Sequence, residues 1–422
     1  MKYAFITPRY GGDIGAGAEH ACRLLAERIG KRHDVDVLTT TARNPVTWNN
    51  EYSEGADRIR GVLVRRFSVS SVGDRAVRDE LGRRLREQPH SRADEIAWVG
   101  HLGPSSTGLI EFLKRQHRSY DALVFFGLLH PLTVSGLEIA PERSILFPYL
   151  QLRPELRFDL CADRLSLPRA LGLFSSAERR LVHAFIGVAP HHEEIVGIGI
   201  DAPPPQSYPR LQQDPADVIT HEDEDTDSDE PSEDGYLSGR GVLFRRRHRL
   251  YSRFVLYGGR VESDNGCEEM LEYFDTYAAS GDGTALVLMG VKMIKVSDAP
   301  YLRLAGVLPE SDRMTAYEAA AVTIAPGPDD LLAQSLLESM AVGTPVLASA
   351  RNEAAVEHCR RANGGLYYAN RDEFVGAMTE LMRNAQLRER MGDNGRRYVR
   401  QSCEWDGVIG RFERLVSRVK AR

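Results

Sequence analysis

A chain of 422 residues exceeds what one hydrophobic core usually serves, so two domains are expected. With 42% hydrophobic and 27% charged residues the composition is that of a globular protein, and no run approaches the ~18 apolar residues that a membrane-spanning helix needs. The formal net charge is −6, yet eleven Asp or Glu and no Lys or Arg fall between Asp214 and Asp234, which leaves +5 on the remainder: a field suited to an anionic ligand or membrane surface, and too weak to imply nucleic acid.

The opening "MKYAFITPRYGG" is a short apolar run cut by Pro8 and glycines, so a first buried strand is expected there and not a secretory leader. The loop "YGGDIGAG" follows. Its Gly11, Gly12, Gly15 and Gly17 allow close backbone approach to a phosphate or sugar at a helix N-terminus, and a packing turn would need the same glycines. The helical pattern "AEHACRLLAERIGKR" and the apolar runs "DVDVLTT", "YDALVFFG" and "RSILFPYL" come next. Strand, helix and strand in alternation predict a parallel sheet wound on both faces. His20 and His130 are candidate acceptor-side bases, and "HHEE" at 191–194 is a weak metal pattern because adjacent histidines do not share a helical face. Five scattered cysteines without a CxxC pair argue against a disulfide framework or a zinc site, and a reducing cytoplasm fits them.

Residues 205–240 are rich in proline and acid and nearly devoid of large apolar side chains, so they are expected to form a disordered insert. Asp225, Asp227 and Asp229 imitate the start of a calcium loop, but Glu230 and Tyr236 occupy the positions that need glycine and glutamate. After the insert the alternation resumes with "RFVLYGGR", "CEEMLEYFDTYA", "TALVLMG", "LRLAGV", "ESDRMTAYEAAA", "VTIAPG", "TPVLAS" and "GGLYY". The expected division is an N-terminal domain over 1–204, the insert over 205–240, a C-terminal domain over 241–400 and an amphipathic helix over 401–422 that includes Trp405. The basic face of that last helix is a candidate for peripheral membrane contact.

Within "PGPDDLLAQSLLESMAVGTPVLAS", Leu336, Leu337 and Met340 cover the core of a predicted helix, while Asp330, Gln334 and Glu338 recur every four residues on a second stripe. Asp329 or Asp330 suits an N-cap, whereas a mid-helix Glu338 must reach solvent or find donors, and ribose hydroxyls are suitable ones. Gly259 and Arg260 in "LYGGR" end a strand where such sheets bind ligands, and a guanidinium there suits a diphosphate or a surface ion pair.

"GGR" after a strand, "DDLLAQSLLESMAVGTPV" and "GGLYYANRDEF" resemble the C-terminal half of GT-B glycosyltransferases of family 4, whose signature is Glu, seven residues, Glu, and then Ala-Met-Ala-x-Gly-x-Pro-Val. "PRYGGDIGAGAEHACRLLAERI" resembles that family's N-terminal glycine loop and first helix. The resemblance implies a GT-B fold, two Rossmann-like domains facing across a cleft, with the terminal helix crossing back to the N-terminal domain. It also implies transfer of a sugar from a nucleoside diphosphate to a hydroxyl acceptor with retention of anomeric configuration, without a metal or other cofactor. Glu338 would then hold the ribose, Asp330 would touch the transferred sugar and Arg260 would neutralise the diphosphate, helped by Gly12, Gly259 and the amides of Leu332, Ala333 and Gln334. Three positions depart from the family pattern: Asp330 replaces its first glutamate, Asn265 a lysine, and Gln151 an acceptor-side histidine beside which Gly15 would also lie. A catalytically impaired relative that binds a nucleotide sugar or a protein partner, and a GT-B nucleotide-sugar epimerase, are the alternatives.

Overall fold

The computed structural model describes residues 1–12, 14, 17–185, 192–202, 241–281, 283–296 and 298–420. Gly15, His191 and the acidic insert over 205–240 lie outside the described residues. Two compact units divide the chain: unit one is Met1–Ile198 with Trp405–Arg422, and unit two is Gly199–Glu404.

Unit one is built on eight strands: β1 (Lys2–Ile6), β2 (Asp34–Thr40), β3 (Gly55–Ile59), β4 (Val62–Phe67), β5 (Ala122–Phe126), β6 (Ser144–Phe147), β7 (Ala170–Leu173) and β8 (Glu193–Ile195). They lie in the order β3-β4-β2-β1-β5-β6-β7-β8. Phe5 stands level with Val37 on one side and Val124 on the other. The apolar runs of β1 and β5 are buried, as a parallel sheet covered on both faces demands. Only β3 runs antiparallel, in a hairpin with β4. Its sequence GADRI is almost wholly exposed and lacks an apolar signal, so the alternation of buried runs did not announce it.

The helix Trp405–Lys420 belongs to this unit. Val408, Phe412, Leu415 and Val416 are buried along one stripe, and the Phe412 ring lies 5.5 Å from Tyr3 and 5.9 Å from Phe5. Its cations turn to β8: Arg411 donates to the Val196 carbonyl at 2.9 Å, and Arg414 pairs with Glu194 at 2.9 Å. Those contacts, with the 2.7 Å contact between His183 and Glu193, engage both acids of the "HHEE" pattern. Among the described residues no group of three or more His, Cys, Asp or Glu is placed to hold a metal ion.

Glu178, in the helix Ser176–Phe185, is buried and accepts from the backbone N–H of Phe174 at 2.7 Å and of Leu150 at 3.0 Å. It thereby ties together the loops that leave β6 and β7. Burial pushes its carboxyl up to about 7, against the lowering effect of the amides of Phe174, Leu150 and Tyr149.

Unit two carries six parallel strands: β9 (Phe254–Gly258), β10 (Ala285–Met289), β11 (Leu302–Gly306), β12 (Val322–Ala325), β13 (Val346–Ser349) and β14 (Gly365–Tyr368). Their order is β11-β10-β9-β12-β13-β14. The order reverses direction between β9 and β12, and a crevice for a ligand opens beyond the carboxyl ends of strands at such a point.

The Glu178 carboxyl gives a signed expectation. A raised folded-state value means that its contribution to stability is complete below the ordinary carboxyl range and declines as pH rises to about 7. Between pH ~4.5 and ~7 that contribution falls by on the order of 3 kcal/mol. Urea unfolding of the wild type and Glu178→Gln across that window is expected to differ by this slope, with the variant flatter.

Candidate functional site

The helix Gln334–Val342 begins later than its sequence pattern implies. Ala333 precedes it in the left-handed region at φ 46, which breaks the helix on its N-terminal side. Asp330 therefore heads no helical stripe with Gln334 and Glu338. Its carboxylate closes a turn instead, accepting from the Ala333 N–H at 3.1 Å and from the Leu332 N–H. Burial raises the Asp330 carboxyl above its ordinary range, and those two amides oppose the rise. The turn is held from below by Asn352, whose Nδ2 donates to the carbonyls of Gly327 at 2.7 Å and Asp330 at 3.1 Å.

Glu338 is 5% exposed, so its charge requires donors. The protein supplies them. Arg313 Nη2 lies 2.6 Å from Glu338 Oε1, and Gln334 Nε2 donates to the same oxygen at 2.8 Å from one helical turn away. A ribose is thus not needed to explain the burial of this acid. Tyr317 lies one turn beyond Arg313 on the helix Glu310–Ala319. Its hydroxyl is pushed well up by burial, and the neighbouring Glu338 adds to the rise.

The loop after β9 meets the same place. A Cβ on Gly258 would stand 2.3 Å from the Tyr317 hydroxyl, so only glycine fits. Gly259 takes φ +155 and donates to the Met289 carbonyl at 2.9 Å. The carbonyl of Arg260 collects Tyr257 Oη at 2.7 Å and Asn265 Nδ2 at 3.0 Å. Asn265 also reaches Glu262 at 3.0 Å, so this amide braces the loop. The Arg260 side chain is 46% exposed and pairs with Glu262 at 2.8 Å.

Gly259, Arg260, Asn265, Asp330, Leu332, Ala333, Gln334 and Glu338 all belong to unit two, on the segments that follow β9 and β12. Two of the expected amide donors, Leu332 and Ala333, are engaged by Asp330. Arg313, Tyr317 and Asn352 were missed from the sequence. Arg313 did leave a signal, since a cation in the first turn of a helix opposes the macrodipole and calls for a compensating acid.

Gly12 and Gln151 belong to unit one. Gly12 is exposed, and a Cβ there would meet nothing within 4 Å. Gln151 Oε1 accepts from Arg153 at 2.7 Å. His20 contacts the Ile14 carbonyl at 3.3 Å and Arg23 at 3.2 Å. His130 is held below its ordinary range by burial, and its Nδ1 has no partner among the described residues. Arg9 grips Glu19 with two bonds of 2.7 and 2.5 Å on the same side of the unit.

Residues 244–398 match the family model described as "Glycosyl transferases group 1". Solved structures share the fold of the chain at low identity. Sucrose-phosphate synthase of Thermosynechococcus elongatus aligns at 14% identity with a TM-score of 0.67, covering 99% of this chain and 98% of that one. HepE of Anabaena, solved in complex with UDP and glucose, aligns at 13% identity with a TM-score of 0.65 over 99% of both chains. The α,α-trehalose 6-phosphate synthase of Burkholderia multivorans aligns at 12% identity with a TM-score of 0.66 over 99% of both. The match to the glycosyl transferases group 1 model thus falls within unit two, and the chain has the GT-B fold.

Proposed function

We propose that this protein transfers a sugar from a nucleoside diphosphate sugar to a hydroxyl acceptor, with retention of anomeric configuration and with the donor held by unit two. The observation that carries the proposal is the buried Glu338 beside the β9–β12 switch point, inside the stretch matched by the glycosyl transferases group 1 model. Structures of HepE with UDP and with UDP-glucose support a donor of this class.

In this proposal Glu338 accepts from the ribose hydroxyls while Arg313 keeps its charge compensated. Arg260 leaves Glu262 for the diphosphate, and because an exposed ion pair is worth only ~0–1 kcal/mol, the exchange costs little. A guanidinium that meets the charge growing on the departing phosphate stabilises the transition state more than the ground state, which accelerates the step. Asp330 stands beside the transferred sugar. The acceptor, a glycan, lipid-linked sugar or small molecule, is assigned to unit one near Gln151, Gly12 is kept for the donor diphosphate, and neither metal nor other cofactor enters the scheme. A cytoplasmic setting suits five cysteines that are all free and buried. Among the described residues no helix is long and apolar enough to cross a membrane, and contact with one is proposed as peripheral.

A second reading, donor binding without turnover, is favoured by one observation: the Asp330 carboxylate is turned to the amides of Leu332 and Ala333. Kinetics separate the two.

Screening UDP-, GDP- and ADP-sugars by thermal unfolding is expected to reveal a stabilising donor, worth about 2.7 kcal/mol at 100 times its dissociation constant. Glu338→Ala is expected to abolish that shift, and a variant that still binds at wild-type strength contradicts the ribose assignment. With the donor identified, Asp330→Ala should lower kcat on the order of 100-fold while leaving the donor Kd near wild type. Equal loss in both quantities would place Asp330 in binding alone. Arg313→Met should destabilise unit two by about 2 kcal/mol in urea and cost far less in a Glu338→Gln background, because the penalty arises from an acid left without its cation.

A further inference from the structure

Arg66 lies at the carboxyl end of β4, level with Thr39 of β2. It is 7% exposed, and the described residues give it no carboxylate. Nη2 donates to the Tyr10 carbonyl at 2.9 Å, the guanidinium lies 4.4 Å over the Tyr52 ring, and among the described residues Nε has no partner. Thr39, fully buried at the same level of the sheet, has no partner for its Oγ1 among the described residues. Other arginines around this loop are answered by acids: Arg9 by Glu19 at 2.5 Å and Arg23 by Glu27 at 3.4 Å. Taking a cation out of water is costly, and neither a carbonyl nor an aromatic face supplies the opposite charge that would compensate it.

The place suits a ligand. Arg66 stands at the carboxyl end of β4, beside its parallel neighbour β2, on the edge where open α/β sheets bind, and its hydrogen bond reaches the loop that continues into Gly11 and Gly12. Space is open beside Gly12. A guanidinium with unused donors is complementary to a phosphate, which accepts several N–H bonds and supplies the missing charge.

We propose that unit one recognises its acceptor through an anionic group, a phosphomonoester, seated on Arg66 between the Tyr10–Gly12 loop and the Tyr52 ring. This rests on the glycosyl-transfer function proposed above and narrows its acceptor to phosphorylated compounds.

The test is calorimetric titration of the full chain with inorganic phosphate, glucose and glucose 6-phosphate, in excess UDP so that a diphosphate site in unit two is filled. Glucose 6-phosphate is expected to bind more tightly than phosphate, and glucose at least about tenfold more weakly than its phosphate. Arg66→Met is expected to weaken glucose 6-phosphate by about 10- to 100-fold and to leave UDP affinity unchanged, with Arg66→Lys in between. Should Arg66→Met be insoluble, Arg66→Lys alone decides, because loss of the planar fork still weakens the phosphate. Equal affinity for glucose and glucose 6-phosphate, no gain of glucose 6-phosphate over phosphate, no phosphate binding at all, or wild-type affinity in the arginine variants each overturns the proposal. Absence of UDP binding with an Arg66-dependent phosphate site intact strikes the donor assignment and not this one.

Discussion

A carboxylate that unit two has taken out of water, Glu338, sets the terms for the surrounding structure. Arg313 and Gln334 answer it on a single oxygen. Because Arg313 sits in the first turn of the helix Glu310–Ala319, the pair fixes that helix against Gln334–Val342. Tyr317, one turn along, is then set against Gly258, and the close fit there dictates how the chain leaves β9. The Arg260 loop inherits its position from this sequence of contacts, with Tyr257 and Asn265 drawing its carbonyl inward.

Both units use the same local device at the carboxyl edge of their sheets. Glu178 gathers amides from the loops after β6 and β7, and Asp330 gathers amides from the turn ahead of Gln334. Loops at that edge cannot extend the ladder, so their N–H groups need other acceptors. A buried carboxylate supplies several lone pairs from one side chain, at the cost of an elevated pKa in each case. Such acids make ordered loops out of segments that would otherwise lack partners, which is what precise placement of a substrate requires.

Much of the fold was legible because buried parallel strands leave continuous apolar runs, as in β5 and β10, and because glycines and prolines separate them. The hairpin strand β3 escaped because it is exposed and polar, and periodicity reports burial and not backbone pairing. Helix-like spacing from Asp330 to Glu338 was also misleading at its start: Ala333 takes a left-handed conformation that alanine does not advertise. The site's chemistry was partly visible. That Glu338 must reach solvent or find donors follows from the leucines around it, but neither its burial nor the identity of its donor does, since Arg313 comes from another helix 25 residues earlier. Only tertiary packing joins those positions.

The helix Trp405–Lys420 has a consequence for biosynthesis. Phe412 occupies the interior of unit one beside Tyr3 and Phe5, so β1 waits for a helix that follows all of unit two in the chain before its hydrophobic face is sealed. All strands of unit two are contributed before that helix emerges, and they can condense while unit one is still open along one side. During that interval the ring contacts of β1 are exposed to chaperones and to aggregation. A chain that ended after residue 404 would hold every strand of unit two and lack the helix that covers β1.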